Sequence, residues 1–162
     1  MAYKIPGSAF LESGFSAYLS ANQPNVTGQG QFANINFNTV LFNVGGNYSA
    51  GVYSAPTNGV YHFDLIISFN SPTAAAGREF FCVWDGSPWS TRAYQAIQSG
   101  VGDFTITASI DVFLNAGNIM KVGFGVFSNS ATDVTIYGTA PNLGAGTQSK
   151  STIFSGYKVS NA

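Results

Sequence analysis

Charge is scarce in this sequence: Asp, Glu, Lys and Arg make up 8% of its 162 residues, against roughly 25% in an ordinary soluble domain. The cations Lys4, Arg78, Arg92, Lys121, Lys150 and Lys158 stand singly. They form no basic stripe that could follow a phosphate backbone, so nucleic acid is not an expected partner. Cys82 is the only cysteine, which excludes an intrachain disulfide, and His62 is the only histidine. One of each cannot furnish the three or four ligands that zinc takes. The acids Glu12, Asp64, Glu79, Asp85, Asp103, Asp111 and Asp133 are isolated, with no D-x-D-x-D loop. No cofactor is therefore expected, and a calcium site would have to be assembled from oxygen ligands on distant segments or subunits. No stretch approaches the ~20 apolar residues that span a bilayer, and MAYKIPGSAFLESG has no apolar core of signal-peptide length. Membrane insertion is not expected. Helical periodicity, internal repeats and the G-X-Y period of a collagen stalk are also missing.

What the chain does contain is aromatic and hydroxyl-rich: 15% Phe, Trp and Tyr and 45% hydrophobic residues, with Asn, Ser, Thr and Gln supplying the polarity. Its length suits one folding unit, read as a short arm over residues 1–12 followed by one domain over 13–162. Runs of β-branched and aromatic residues between Gly, Asn, Pro and Ser clusters predict an all-β sandwich or barrel. In GVYHFDLIISF, Tyr61, Phe63, Leu65, Ile67 and Phe69 alternate with His62, Asp64, Ile66 and Ser68. In DFTITASIDVFL, Phe104, Ile106, Ala108, Ile110, Val112 and Leu114 alternate with Thr105, Thr107, Ser109, Asp111 and Phe113. Successive side chains of a strand point to opposite faces, so each run has one apolar face and one mixed face. Further strands are predicted near 15–20, 38–43, 80–85, 119–127, 134–138 and 151–159.

Few residues invite a catalytic reading. A Ser-His-Asp arrangement would have to use His62, which lies mid-strand rather than on the loops where active residues concentrate. NYSAG over 47–51 puts Asn47 where a nucleophile elbow needs Gly. GQG at 28–30 and GFG at 123–125 lack the strand–loop–helix setting of a phosphate loop and read as turn and strand glycines. Asp64 and Asp111 are the one carboxylate pair that suggests glycosidase chemistry, set against a plainer reading as hydrogen-bonded acids at a surface or subunit contact. Trp84 and Trp89 in WDGSPW could form a stacking platform, or could be a core and a half-buried loop residue. Sequons at Asn25 and Asn47 are short motifs that recur by chance.

The stretch from Phe37 to Ile67 carries Phe37, Val40, Asn43, Gly45, Tyr48, Pro56, Gly59, Val60, Tyr61 and Phe63 at the spacings of the C1q-type globular head, which it resembles. Ser151-Thr152-Ile153-Phe154-Ser155-Gly156-Tyr157 is similar to that family's closing segment, and Phe15-Ser16-Ala17 to its opening strand. The chain departs from the pattern in a shorter segment between Tyr48 and Gly51, in Tyr53 for Phe, and in Asn118 for Asp. The resemblance implies a ten-stranded jelly roll of the C1q and tumour necrosis factor (TNF) superfamily, assembled as a compact trimer. Second strand faces carrying Ile66, Phe113 and hydroxyls rather than Lys and Glu suit burial against a subunit.

The function expected from this reading is a non-catalytic trimeric recognition or adhesion head that binds a protein or glycan. The loop candidates are Trp84, Asp85, Trp89, Arg92 and Asn142. Residues expected inside or beside the trimer contact are His62, Asp64, Ile66, Thr107, Asp111 and Phe113. The alternative is a structural component of a virion, fibre or surface layer; an enzyme comes third. The expected location is extracellular, cell-surface or virion-associated, and the pattern fits a microbial or viral source better than an animal complement protein.

Overall fold

The computed structural model describes residues 13–71, 77–84, 91–97, 102–126, 134–138 and 152–161. In chain order the strands are β1 (Gly14–Tyr18), β2 (Gln23–Thr27), β3 (Phe32–Asn34), β4 (Thr39–Val44), β5 (Tyr48–Ser49), β6 (Val52–Ser54) and β7 (Gly59–Ser71). They continue as β8 (Gly77–Trp84), β9 (Thr91–Ile97), β10 (Gly102–Leu114), β11 (Ile119–Val126), β12 (Val134–Ile136) and β13 (Ile153–Asn161). There is no helix among the described residues. The arm expected over residues 1–12 lies outside them.

The strands form two antiparallel sheets. One runs β2-β12-β7-β13-β1-β4, with β10 on the opposite edge of β7; the other runs β5-β6-β11-β8-β9, with β3 beside β11. Thirteen segments appear where ten were expected, because β3, β5, β6 and β12 are pieces of only two or three residues. The sequence TRAYQAI of β9 went unrecognised since Ala93, Tyr94, Gln95 and Ala96 show no clean apolar–polar alternation.

Between the sheets lies an aromatic core. Tyr61, Phe63, Leu65, Ile67 and Phe69 are all buried, as the period-two pattern predicts. Phe15 stacks on Tyr48 with centroids 4.4 Å apart and meets Phe154 edge-on at 4.9 Å. Such pairs add about 0.5–1.5 kcal/mol each beyond the area they bury. The buried hydroxyls of Ser13 and Thr152 are bonded, as low-dielectric surroundings demand. Ser13 Oγ meets Tyr53 OH at 2.6 Å and accepts from Asn47 Nδ2 at 3.0 Å. Thr152 Oγ1 accepts from Ser68 N at 3.2 Å.

Several motif residues have clear mechanical roles. Asn43 clamps the backbone of Tyr48 from both sides: Nδ2 donates to Tyr48 O at 2.8 Å and Oδ1 accepts from Tyr48 N at 3.2 Å. The side chain thus imitates a strand partner and closes the turn through Gly45 and Gly46, both at positive φ. β5 and β6 are joined by a two-residue turn in which Ala50 (φ 49°) and Gly51 (φ 82°) are both left-handed, the arrangement that matches strand twist. Gly59 lies against Ser160 O so closely that a Cβ would meet it at 2.4 Å. Gly28 and Gly30 flank a turn, and Gly123 and Gly125 lie within β11, matching the plain reading of both motifs.

Candidate functional site

The polar positions of β7 and β10 meet on the outer face of the seven-stranded sheet. In the antiparallel register Asp111 stands opposite His62, Ser109 opposite Asp64, Thr107 opposite Ile66 and Phe113 opposite Val60. On the other edge of β7, β13 sets Tyr157 beside His62, Ser155 beside Asp64 and Ile153 beside Ile66. The six trimer-contact candidates of the sequence, His62, Asp64, Ile66, Thr107, Asp111 and Phe113, therefore share one continuous face.

At its centre His62 bridges two carboxylates. Nδ1 lies 2.7 Å from Asp111 Oδ1, and Nε2 lies 3.2 Å from Asp64 Oδ1. Ser109 Oγ donates to Asp64 Oδ1 and lies 3.4 Å from His62 Nε2. The Tyr157 ring tilts over the imidazole at a centroid distance of 5.2 Å. Hydrogen bonding to Asp111 is the largest influence on His62 and raises its pKa above the ordinary 6.5, with Asp64 adding to the effect and partial desolvation opposing it. The protonated ring is favoured because both nitrogens then carry a hydrogen to donate.

Ser109, His62 and Asp111 have the connectivity of a hydrolytic triad, yet the chemistry does not follow. The serine hydroxyl is directed to Asp64 rather than to the ring, and each ring nitrogen faces a carboxylate oxygen instead of a nucleophile. Nor do the acids form a metal cage. Asp64 and Asp111 address opposite nitrogens of one ring, so their oxygens do not converge with a ring nitrogen on one point. Among the described residues no group of three His, Cys, Asp or Glu could hold a metal ion. Asp64, Leu65, Ile66, Thr107, Ala108 and Ser109 line a depression of about 460 Å³. It is shallow and open, unlike the clefts that bury most of a small ligand.

Around this polar centre the face is apolar. Phe42 and Val44 on β4, Ile66 on β7, Phe113 on β10 and Tyr157 on β13 are exposed on this side; Val40, opposite the buried Ala17, and the bulge residues Leu41 and Val159 are exposed as well. On the other sheet Phe32 of β3 is also exposed. The sequence reading included Ile66 and Phe113 but missed the β4 and β13 members. Leu41 and Val159 were hidden by irregular pairing: Ser16 faces Phe42 while Ala17 faces Val40, and Lys158 faces Tyr61 while Ser160 faces Val60. Each skipped residue sits in a bulge, where alternation no longer tells inside from outside.

Of the loop candidates, Trp84 and Arg92 have their backbones in β8 and β9. Asp85, Trp89 and Asn142 lie outside the described residues.

No protein-family model and no curated protein matches this sequence. Solved structures do. The globular domain of zebrafish complement 1qA protein aligns at a TM-score of 0.59 with 15% identity, over 93% of this chain and 99% of that one. Murine APRIL aligns at 0.59 with 10% identity, over 91% and 98%. Eiger TNF from S. frugiperda aligns at 0.55 with 11% identity, over 93% and 92%. The chain has the jelly-roll fold shared by C1q and TNF domains, as the motifs between Phe37 and Tyr157 led us to expect.

Proposed function

We propose that this chain is a non-catalytic recognition head that works as a homotrimer, burying the outer face of the seven-stranded sheet against further copies and binding a protein or glycan through its loops. One observation carries the reading. Exposed large apolar side chains are gathered on β4, β7, β10 and β13 of one sheet, in a chain with almost no charge to solvate such a face. Contiguous apolar surface of this kind marks a site of association. A second copy is the natural occupant because the C1q/TNF fold, at full domain length, carries the expectation of a three-fold assembly. The Ser109 hydroxyl is directed to Asp64 and not to His62, an arrangement that favours recognition over catalysis. No helix of the described residues is long and apolar enough to cross a membrane, and an extracellular, cell-surface or virion-associated location goes with this reading.

Sedimentation equilibrium at micromolar protein tests the assembly: a trimer mass is expected, and a stable monomer would overturn it. A glycan array and pull-down with the intact trimer test recognition. Stoichiometric binding to virions or filaments, without affinity for any free glycan or soluble protein, would instead support the structural-component alternative suggested by the low charge.

A further inference from the structure

We infer that the His62 imidazolium is the charge balance that allows the Asp64–Asp111 face to be buried against other copies of this chain, so that the assembly loosens when His62 loses its proton. The inference rests on the trimer reading above and adds a regulation to it.

Its basis is geometric. A carboxylate oxygen faces each ring nitrogen, 2.7 Å from Nδ1 and 3.2 Å from Nε2. A neutral imidazole carries one N–H and can donate to only one of them. The other oxygen would then confront a lone pair, acceptor against acceptor. Rotating the ring offers no escape, because both carboxylates lie along its two edges. The groups around the ring are Asp111 and Ser109 from β10, Asp64 from β7 itself and the phenol of Tyr157 from β13. Lys158 on β13 has its amine 2.7 Å from Thr57 Oγ1. His62 is the basic group bonded to both acids.

In a single protomer this matters little, since the side chains of Asp64 and Asp111 are 50% and 67% exposed and water compensates them. Against a partner subunit the water is removed. With His62 neutral each protomer buries one more uncompensated negative charge than with His62 protonated, and an unpaired buried charge is strongly unfavourable. Removing water from the two carboxylates favours the charged ring further, so the contribution to assembly is present while His62 is protonated and is lost as pH rises through the value it has in the assembly.

The test uses the full chain. Because His62 is the only histidine, one imidazole resonance of histidine-labelled protein reports its titration without ambiguity. Sedimentation velocity over the same samples, from about pH 6 to about pH 9, reports association. Wild type is expected to weaken at least about tenfold in self-association as His62 deprotonates, with its circular dichroism unchanged. His62→Gln should associate as weakly as the deprotonated protein and show no pH dependence in this range. Asp111→Asn, which removes one of the two acids, should shrink the pH effect while remaining trimeric. A trimer whose affinity stays flat while the His62 resonance titrates, or a His62→Gln protein that keeps the wild-type profile, overturns the inference and leaves the trimer standing. A monomer at every pH overturns the trimer reading itself.

Discussion

Gly156 lies directly across the β7–β13 ladder from Phe63, so close that a Cβ on the glycine would come within 2.4 Å of Phe63 Cδ1 and 2.7 Å of Cε1. The missing side chain is the space into which the ring folds, and the ring in turn packs on Phe154 and Tyr53. Gly156→Ala forces Phe63 out of this position. We predict a loss of about 2 kcal/mol or more, the scale of overpacking a close-fitted core, read as a lower urea midpoint with an unchanged slope. A variant within about 0.5 kcal/mol of wild type would show that the core has slack at this point.

Ala50 occupies a left-handed position of the β5–β6 turn without the side chain best suited to it. Non-glycine residues there cost about 1–2 kcal/mol, and Asn tolerates the conformation best among them. Ala50→Asn is expected to stabilise the protein by about 0.5–1 kcal/mol, visible as a higher melting temperature. An unchanged or lower melting temperature would mean that the turn is not strained in solution.

Tyr48 and Tyr53 are buried in the core, and burial pushes the pKa of each phenol from 10.0 up to about 12. A folded-state pKa above the unfolded one contributes stability that is complete below about pH 10 and falls away toward pH 12. Phenolate absorbance should therefore still be rising above pH 10, with the part contributed by Tyr48 and Tyr53 accompanying loss of tertiary circular dichroism. A single transition of all eight tyrosines near pH 10 in folded protein would contradict this placement.

Phe113 is 52% exposed on the edge strand β10. Phe113→Glu should leave the unfolding free energy of the protomer within about 0.5 kcal/mol, as for an ordinary surface change. In a trimer that buries this face, the same glutamate adds negative charge beside Asp111 and should weaken association by at least about a hundredfold. Sedimentation and chemical denaturation of the same variant separate the two effects; an undiminished trimer would place Phe113 outside the contact.

The apolar faces of β7 and β10 were legible from Tyr61 to Phe69 and from Phe104 to Leu114 because alternation is a local property of a strand. The spaced residues Asn43, Gly59 and Gly156 marked the fold from sequence, although their reasons are tertiary: a side-chain clamp, an approach to Ser160 and a seat for Phe63. The acids Asp64 and Asp111 were legible as a pair of interest but not as the two partners of one histidine. Tyr157 and the β4 residues were missed because nothing local to them states which strands they lie beside.

The sequence by itself determined that the chain is β-rich, poor in charge and without the clustered ligands or nucleophiles of most active sites. It also determined which residues of each long strand share a face. Only the tertiary structure decided which faces meet, because strand pairing is fixed by register between segments far apart in the chain. Asp111 and His62 are 49 residues apart, and a slip of one residue would turn Asp111 toward the core and leave the imidazole without its closest partner.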